Sequence, residues 1–130
     1  MKPGIIALIV IALMMLWAIY TQDIAHPQEL TASWYSEESC RREGTSGRCA
    51  DGSIFRDENK TAASWDHTFG TKLKVTCLTT GKSVIVEIRD RGPNKKLYKR
   101  GRVLDLSKSS FAEIADLKVG VIPIRYEVVE

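Results

Sequence analysis

Hydrophobic and polar positions follow two different rules along this chain. From Ile5 to Tyr20 the residues are uncharged and almost all apolar, whereas several stretches beyond Thr31 alternate apolar and polar side chains. Such alternation marks a strand with one buried face, because successive side chains of an extended chain point to opposite sides. TASWYS, from Thr31, reads as a first strand. TKLKVTCL puts Leu73, Val75 and Cys77 on one side, TTGK supplies a hairpin turn, and SVIVEIRD returns with Val84, Val86 and Ile88 on its buried face. RVLDLS and PIRYEVVE complete the strands legible by pattern. One helix is predicted, in SKSSFAEIADLKVG: Ser107 can cap it, Phe111, Ile114 and Ala115 form its apolar stripe, and Gly120 can end it.

Glu37 to Thr71 shows no such period and is rich in Gly, Ser, Asp and Arg. A connection of that length is too long for a compact domain without structure of its own. Loops bordering a groove are expected there, with a further strand around SIFRD. Short strands with turn signals and one short helix predict a mainly β fold, a small β-barrel.

The apolar run changes the picture at the N-terminus. It follows Lys2, as an export signal does. Ile5 to Tyr20 as helix would span about 24 Å, against a hydrocarbon core of about 30 Å, and Thr21 and Gln22 can lengthen it to an anchor. Neither WAIYTQ nor DIAHP is a good cleavage site, so a cleaved signal and an uncleaved anchor both fit. No cysteine directly follows the run, which argues against a lipid-modified anchor. The expected organisation is residues 1–20 as signal or anchor, 21–30 as a short polar linker containing Pro27, and 31–130 as the barrel.

The formal net charge is +3, and removing residues 1–25 deletes one base, Lys2, and one acid, Asp23, leaving it unchanged. That is mild for a nucleic-acid binder, and no RNA or DNA module is recognisable, so no nucleic-acid partner is expected. The basic loop from Arg91 to Arg102, with Lys95, Lys96, Lys99 and Arg100, reads as a solvated loop. Any partner it held would be anionic: a wall polymer or phospholipid headgroups at an envelope surface. Cys40, Cys49 and Cys77 would meet an oxidising compartment, and Cys40 with Cys49, bracketing a polar loop, is the simplest pairing. No C-x-x-C pair occurs and His26 lies far from His67, so neither metal nor cofactor is expected.

Asp90 stands out because it falls at the next position of the apolar row Val84, Val86, Ile88. It can cap its turn by accepting backbone N–H groups. It can also be an acid at the barrel rim, provided burial lifts its pKa from about 3.9 toward neutrality. Arg89 points away by parity; Arg91 would oppose that rise if it folded back. Asp105 interrupts RVLDLS two residues before the helix and is expected to serve the helix entrance. Trp65, Asp66 and His67 offer a flat face for a sugar ring with an acid and an imidazole for hydroxyls; equally, Trp65 can be core and Asp66 a turn cap.

ASWYS, ADGSIF, TAAS, FGTKLKVT, TTGKSVIVEIRDRGP and RVLDLS, in that order, resemble the RlpA-like double-psi β-barrel family, to which barwin and expansin domains are more distantly related. The resemblance runs roughly from Thr31 to Val129. It implies a six-stranded double-psi β-barrel and an endolytic lytic transglycosylase that cuts peptidoglycan glycan strands, preferably stripped of stem peptides, leaving 1,6-anhydro ends. The family's groove carries a Glu and an Asp in GExxD, a His closing TAAH, and the Asp of DRGP. By resemblance Asp90 is the catalytic acid/base, while Ser53, Arg56 and Ser64 occupy the other three positions. Asp57 follows Arg56, and Asp66 and His67 follow Ser64. Ser53, Arg56, Ser64, Trp65, Asp66 and His67 are therefore the expected substrate-binding residues. A lytic transglycosylase needs no water-activating carboxylate, because the sugar's own C6 hydroxyl attacks. The alternative is a barrel that holds glycan without cutting it, as expansin-like proteins do. Either would act in the bacterial cell envelope, in the periplasm or at the outer face of the inner membrane. A monomer is expected, touching the membrane through its N-terminus if that segment is retained.

Overall fold

The computed structural model describes residues 2–22 and 28–129; positions 23–27 of the expected linker, Pro27 among them, lie outside the described residues. Helix α1 (Pro3–Gln22) is uncharged and ends in the polar pair Thr21 and Gln22. Its segment Pro3–Tyr20 has a mean hydropathy of 2.4 and buries nothing against the rest of the chain. It is long and apolar enough to cross a membrane, a property that signal sequences share.

Six strands follow: β1 (Thr31–Tyr35), β2 (Thr61–Ser64), β3 (Lys72–Cys77), β4 (Ser83–Asp90), β5 (Arg102–Ser107) and β6 (Ile122–Val129). They close into a barrel in the order β1-β5-β2-β4-β3-β6. β1 with β5 and β2 with β4 run parallel; the other four contacts are antiparallel. Closure leaves no free sheet edge. The alternating residues fill the interior as their pattern predicts: Leu73, Val75, Val86, Ile88, Leu104 and Leu106 are all at most 1% exposed.

The strand hidden in the irregular segment is β2, at TAAS, and not SIFRD, where only an isolated bridge joins Arg48 to Ile54. All four residues of β2 are buried, so small side chains replace alternation and no period marks it. The segment also contains a short helix, α2 (Glu37–Arg42), started by a reciprocal capping box between Ser36 and Ser39. A one-turn helix, α3 (Lys95–Tyr98), capped by Asn94, lies in the basic loop. The expected helix is α4 (Lys108–Ile114), capped by Ser107, with Phe111 and Ile114 buried. It stops earlier than Gly120 because Ala115 is extended and Asp116 caps a separate 3-10 turn, Leu117–Val119.

Two register shifts position the site. Between β2 and β4, Ala62 pairs with Ile88 but Ala63 pairs with Asp90, leaving Arg89 as the extra residue of a bulge. Between β1 and β5, Thr31 pairs with Arg102 and Ala32 with Leu104, so Val103 is extra in the same way. The first bulge corrects the parity reading of β4. Ile88 stays with Ala62 on the core side, whereas Asp90 turns with Ala63 to the opposite side.

The register predicts a sharp contrast between neighbouring residues of the sheet. Leu73→Ala should cost about 2–5 kcal/mol of unfolding free energy, while Ile85→Ala, on the outer face and 54% exposed, should stay within about 0.5 kcal/mol. Urea denaturation of both variants checks this.

Candidate functional site

The register brings two carboxylates onto one face. Ala63 pairs with Asp90 on one side and with Asp105 on the other, and Asp105 pairs in turn with Ser33. Asp90, Ala63, Asp105 and Ser33 thus form a row across β4, β2, β5 and β1. The two acids are two strands apart, roughly 9.5 Å between their backbones. Between them lies only the small methyl group of Ala63, itself buried. This row floors a groove of about 570 Å³ whose walls include Tyr35, Cys40, Glu43, Arg48, Trp65 and Arg102.

Asp90 caps the turn it enters and also lines the groove. Its Oδ1 accepts the N–H of Ala50 at 2.9 Å and that of Arg91 at 2.9 Å, pinning the 46–57 loop to the end of β4. Its Oδ2 accepts the Tyr35 hydroxyl at 3.2 Å and retains a further acceptor position. Tyr35 is held by stacking on buried Phe55 at 4.3 Å. Burial and the nearby Asp90 charge push its hydroxyl far above the usual tyrosine range, so Tyr35 remains a donor. Arg91 does not fold back: its guanidinium donates to the carbonyls of Ser64 and His67 at 2.8 and 2.7 Å and lies 3.9 Å from the Phe69 ring centroid.

Asp105 is the residue that sequence reasoning misplaced. Ser107 caps the helix, and Asp105 instead opens into the groove. Desolvation raises its pKa to about 6; hydrogen bonding from Ser33 and the Arg102 charge oppose this, and Glu43 and Asp90 add to it. Ser33 Oγ donates to Oδ1 at 3.1 Å, while Oδ2 has no hydrogen-bond partner among the described residues. The missed signal was Ser33, in phase with Asp105 across parallel strands, a pairing visible only once the order β1-β5 is known.

The other expected residues scatter. Trp65 reaches the groove rim, 39% exposed, with Nε1 donating to the Pro93 carbonyl at 2.6 Å and the Lys95 ammonium 5.0 Å from its ring centroid. Ser64 is fully buried on the core side, and its Oγ is used by His67 Nδ1 and the Asp66 N–H, so it is not available to a substrate. His67 turns away to pack edge-on against Tyr126, and Asp66 accepts the Tyr98 hydroxyl of α3. Neither lines the groove. Ser53 is tied to Asp51 within its loop, and Arg56 pairs with Glu37 at 3.2 Å beside the main groove. The expected Cys40–Cys49 disulfide is not formed. All three cysteines are free thiols, with Cys40 engaged by Thr45 and buried Cys49 by Ser53.

A closed six-stranded barrel in the order β1-β5-β2-β4-β3-β6, with two parallel and four antiparallel pairs, defines a double-psi β-barrel protein. Residues 27–126 match the family described as lytic transglycolase, and the chain belongs to that family. The probable endolytic peptidoglycan transglycosylase RlpA of Nostoc sp. is 42% identical over 98 residues, covering 75% of this chain and 24% of that protein. The endolytic peptidoglycan transglycosylase RlpA of Campylobacter jejuni is 33% identical over 99 residues, covering 75% and 32%. The chain thus spans about a quarter to a third of the length of these relatives. Among solved structures, the apo expansin of Clavibacter michiganensis aligns with a TM-score of 0.54 at 27% identity, over 79% of this chain and 50% of that one. The Streptomyces papain inhibitor, at 22% identity and a TM-score of 0.58 over 78% of this chain and 93% of that one, shares the fold.

The Asp105 environment predicts a pH signature. Between about pH 4 and 6 the folded Asp105 keeps a proton that the unfolded chain has released, so its contribution to stability falls as pH rises through that window, by up to about 3 kcal/mol. The stability difference between wild type and Asp105→Asn should therefore change between pH 4 and 7 in that sense, as urea denaturation of both at pH 4, 5, 6 and 7 would show.

Proposed function

We propose that the barrel is an endolytic peptidoglycan lytic transglycosylase acting on glycan strands, preferably free of stem peptides, and forming 1,6-anhydro-N-acetylmuramic acid ends. The observation that carries this reading is the pairing of Asp90 and Asp105 with the same residue, Ala63, on the floor of an open groove. The names of the relatives, endolytic peptidoglycan transglycosylases, support it.

The proton-donor role first expected of Asp90 fits Asp105 better. A pKa near 6 keeps a useful share of Asp105 protonated close to neutrality, and its Oδ2 is open to the groove. Asp105 protonates the glycosidic oxygen, and the bond from that oxygen to the muramyl C1 breaks. The C6 hydroxyl of the same sugar closes onto C1 and passes its proton to the Asp105 carboxylate, which restores the starting state. Asp90, oriented by Tyr35 and two backbone N–H groups, faces the positive charge developing at C1. Trp65 at the rim presents its ring to a sugar face. No water is a reactant, so no third group is needed to activate one. Helix α1 takes the barrel to the cell envelope, at the outer face of the inner membrane if retained or in the periplasm if removed.

A second reading, a barrel that binds glycan without cutting, is favoured by the positions of Ser53, Ser64 and His67 outside the groove. A related expansin, 25% identical, has been solved in complex with cellohexaose. Product analysis separates the two. Full-length protein in detergent, incubated with peptide-free strands, should release anhydro-ended fragments detectable by mass spectrometry. Asp105→Asn should slow that release by about 10²–10⁴-fold, and the wild-type kcat/KM should fall as pH rises above about 6, where Asp105 loses its proton. Strands bound but left intact by the wild type would establish the second reading.

A further inference from the structure

The groove does not end at Cys40 and Arg48. Both also line a second chamber of about 490 Å³, walled by α2, by the 46–48 and 54–57 parts of the long loop, and by Lys108. Four cations, Arg41, Arg48, Arg56 and Lys108, and three acids, Glu37, Glu38 and Asp57, line it. The acids are already engaged. Glu37 accepts from Arg56 at 3.2 Å and from the Asp57 N–H at 3.3 Å, which hold its carboxyl below the usual range. Glu38 pairs with Arg42 at 2.6 Å, and Asp57 Oδ1 accepts the Glu37 N–H at 2.8 Å. The cations are less occupied. Arg41 and Lys108 form no ion pair among the described residues, although the charges of both help hold the Glu38 carboxyl down, and Arg48, at the junction of the two spaces, donates to the Gly52 carbonyl.

The chamber lining therefore carries one more positive than negative charge, and it adjoins a groove read as holding a glycan. A ligand that fills both spaces needs a neutral backbone in the groove and a negative group on a branch. Resting on the glycan reading of the groove, we propose that this chamber binds the carboxylate of the muramyl side arm. That carboxylate is the lactyl group of a peptide-free strand or one carried on an attached stem peptide. Arg41 and Lys108 supply the attraction, and Arg48 marks where the branch leaves the main groove. Both cations are exposed, so the selectivity is electrostatic and sensitive to salt.

Equilibrium binding by the full-length Asp105→Asn protein in detergent tests this without turnover. The probes are chitohexaose, a peptide-free glycan strand, the same strand with its carboxylates converted to methylamides, and a strand with stem peptides intact. Adding Arg41→Gln and Lys108→Gln together should weaken binding of a carboxylate-bearing strand roughly 5- to 20-fold at low salt, as expected for two exposed charge contacts, and leave chitohexaose unchanged. The methylamide strand should bind as weakly to the unsubstituted chamber. Dependence on the two cations with the peptide-free strand identifies the lactyl carboxylate; dependence only with the peptide-bearing strand identifies the stem peptide. Equal affinity for carboxylate and methylamide strands, or an equal loss of chitohexaose, overturns the proposal while leaving the glycan groove standing. Failure to bind any of the four probes overturns both.

Discussion

Two one-residue bulges, at Arg89 and Val103, set the geometry on which the site depends. Without the bulge at Arg89, Asp90 would fall out of phase with Ala63, and a one-residue slip reverses which face a side chain takes; the bulge at Val103 sets the register of β1 against β5, where Ser33 meets Asp105. With them, apolar partners such as Ala62 with Ile88 and Ala32 with Leu104 stay in the core. The residues next along each strand turn together to the groove. Ala63 matters for its size. A larger side chain there would fill the space between the two acids, and glycine would loosen a strand only four residues long.

The same arrangement explains why the two acids differ. Asp90 sits at a strand end, where a folded-over loop brings the Ala50 N–H to its Oδ1 and Phe55 props Tyr35 against its Oδ2. Asp105 sits in mid-strand with one hydroxyl partner and little solvent, so burial dominates and holds its proton to about pH 6. Two carboxyl groups in unlike surroundings are what proton transfer near neutrality calls for. Holding Asp105 there lowers stability at neutral pH, and the tightly packed barrel interior of Leu73, Val86, Ile88 and Leu104 tolerates that.

Much of the fold was legible because strands with one buried face announce themselves through period two. β3, β4, β5 and β6 were read close to their observed ends, and Ser107 was read as a cap. β2 escaped because Thr61–Ser64 is buried on both faces, which erases alternation. The site was half legible. Asp90 is marked as a polar residue at the end of an apolar row, but parity alone places it on the core face, off which the bulge takes it. Asp105 was assigned to the helix entrance because its proximity in sequence to Ser107 was visible while its proximity in space to Ala63 and Ser33 was not. Ser64 and His67 were grouped with the groove by position along the chain. Strand parity instead sends Ser64 into the core, and His67 follows the turn towards Tyr126 on β6. No single-residue signal carries information on strand order, so residues united by the order β1-β5-β2-β4 are those that sequence reading separated.

The proposed chemistry rests on Asp105, beside Asp90, holding and releasing a proton near neutrality. Titration of its side-chain carbon by ¹³C NMR in the full-length protein tests this most directly, with Asp105→Asn used to assign the signal. A midpoint near pH 6 is expected, moving down in Asp90→Asn, where a neighbouring negative charge has been removed. A midpoint near 4 in the wild-type protein, unmoved by Asp90→Asn, would contradict it.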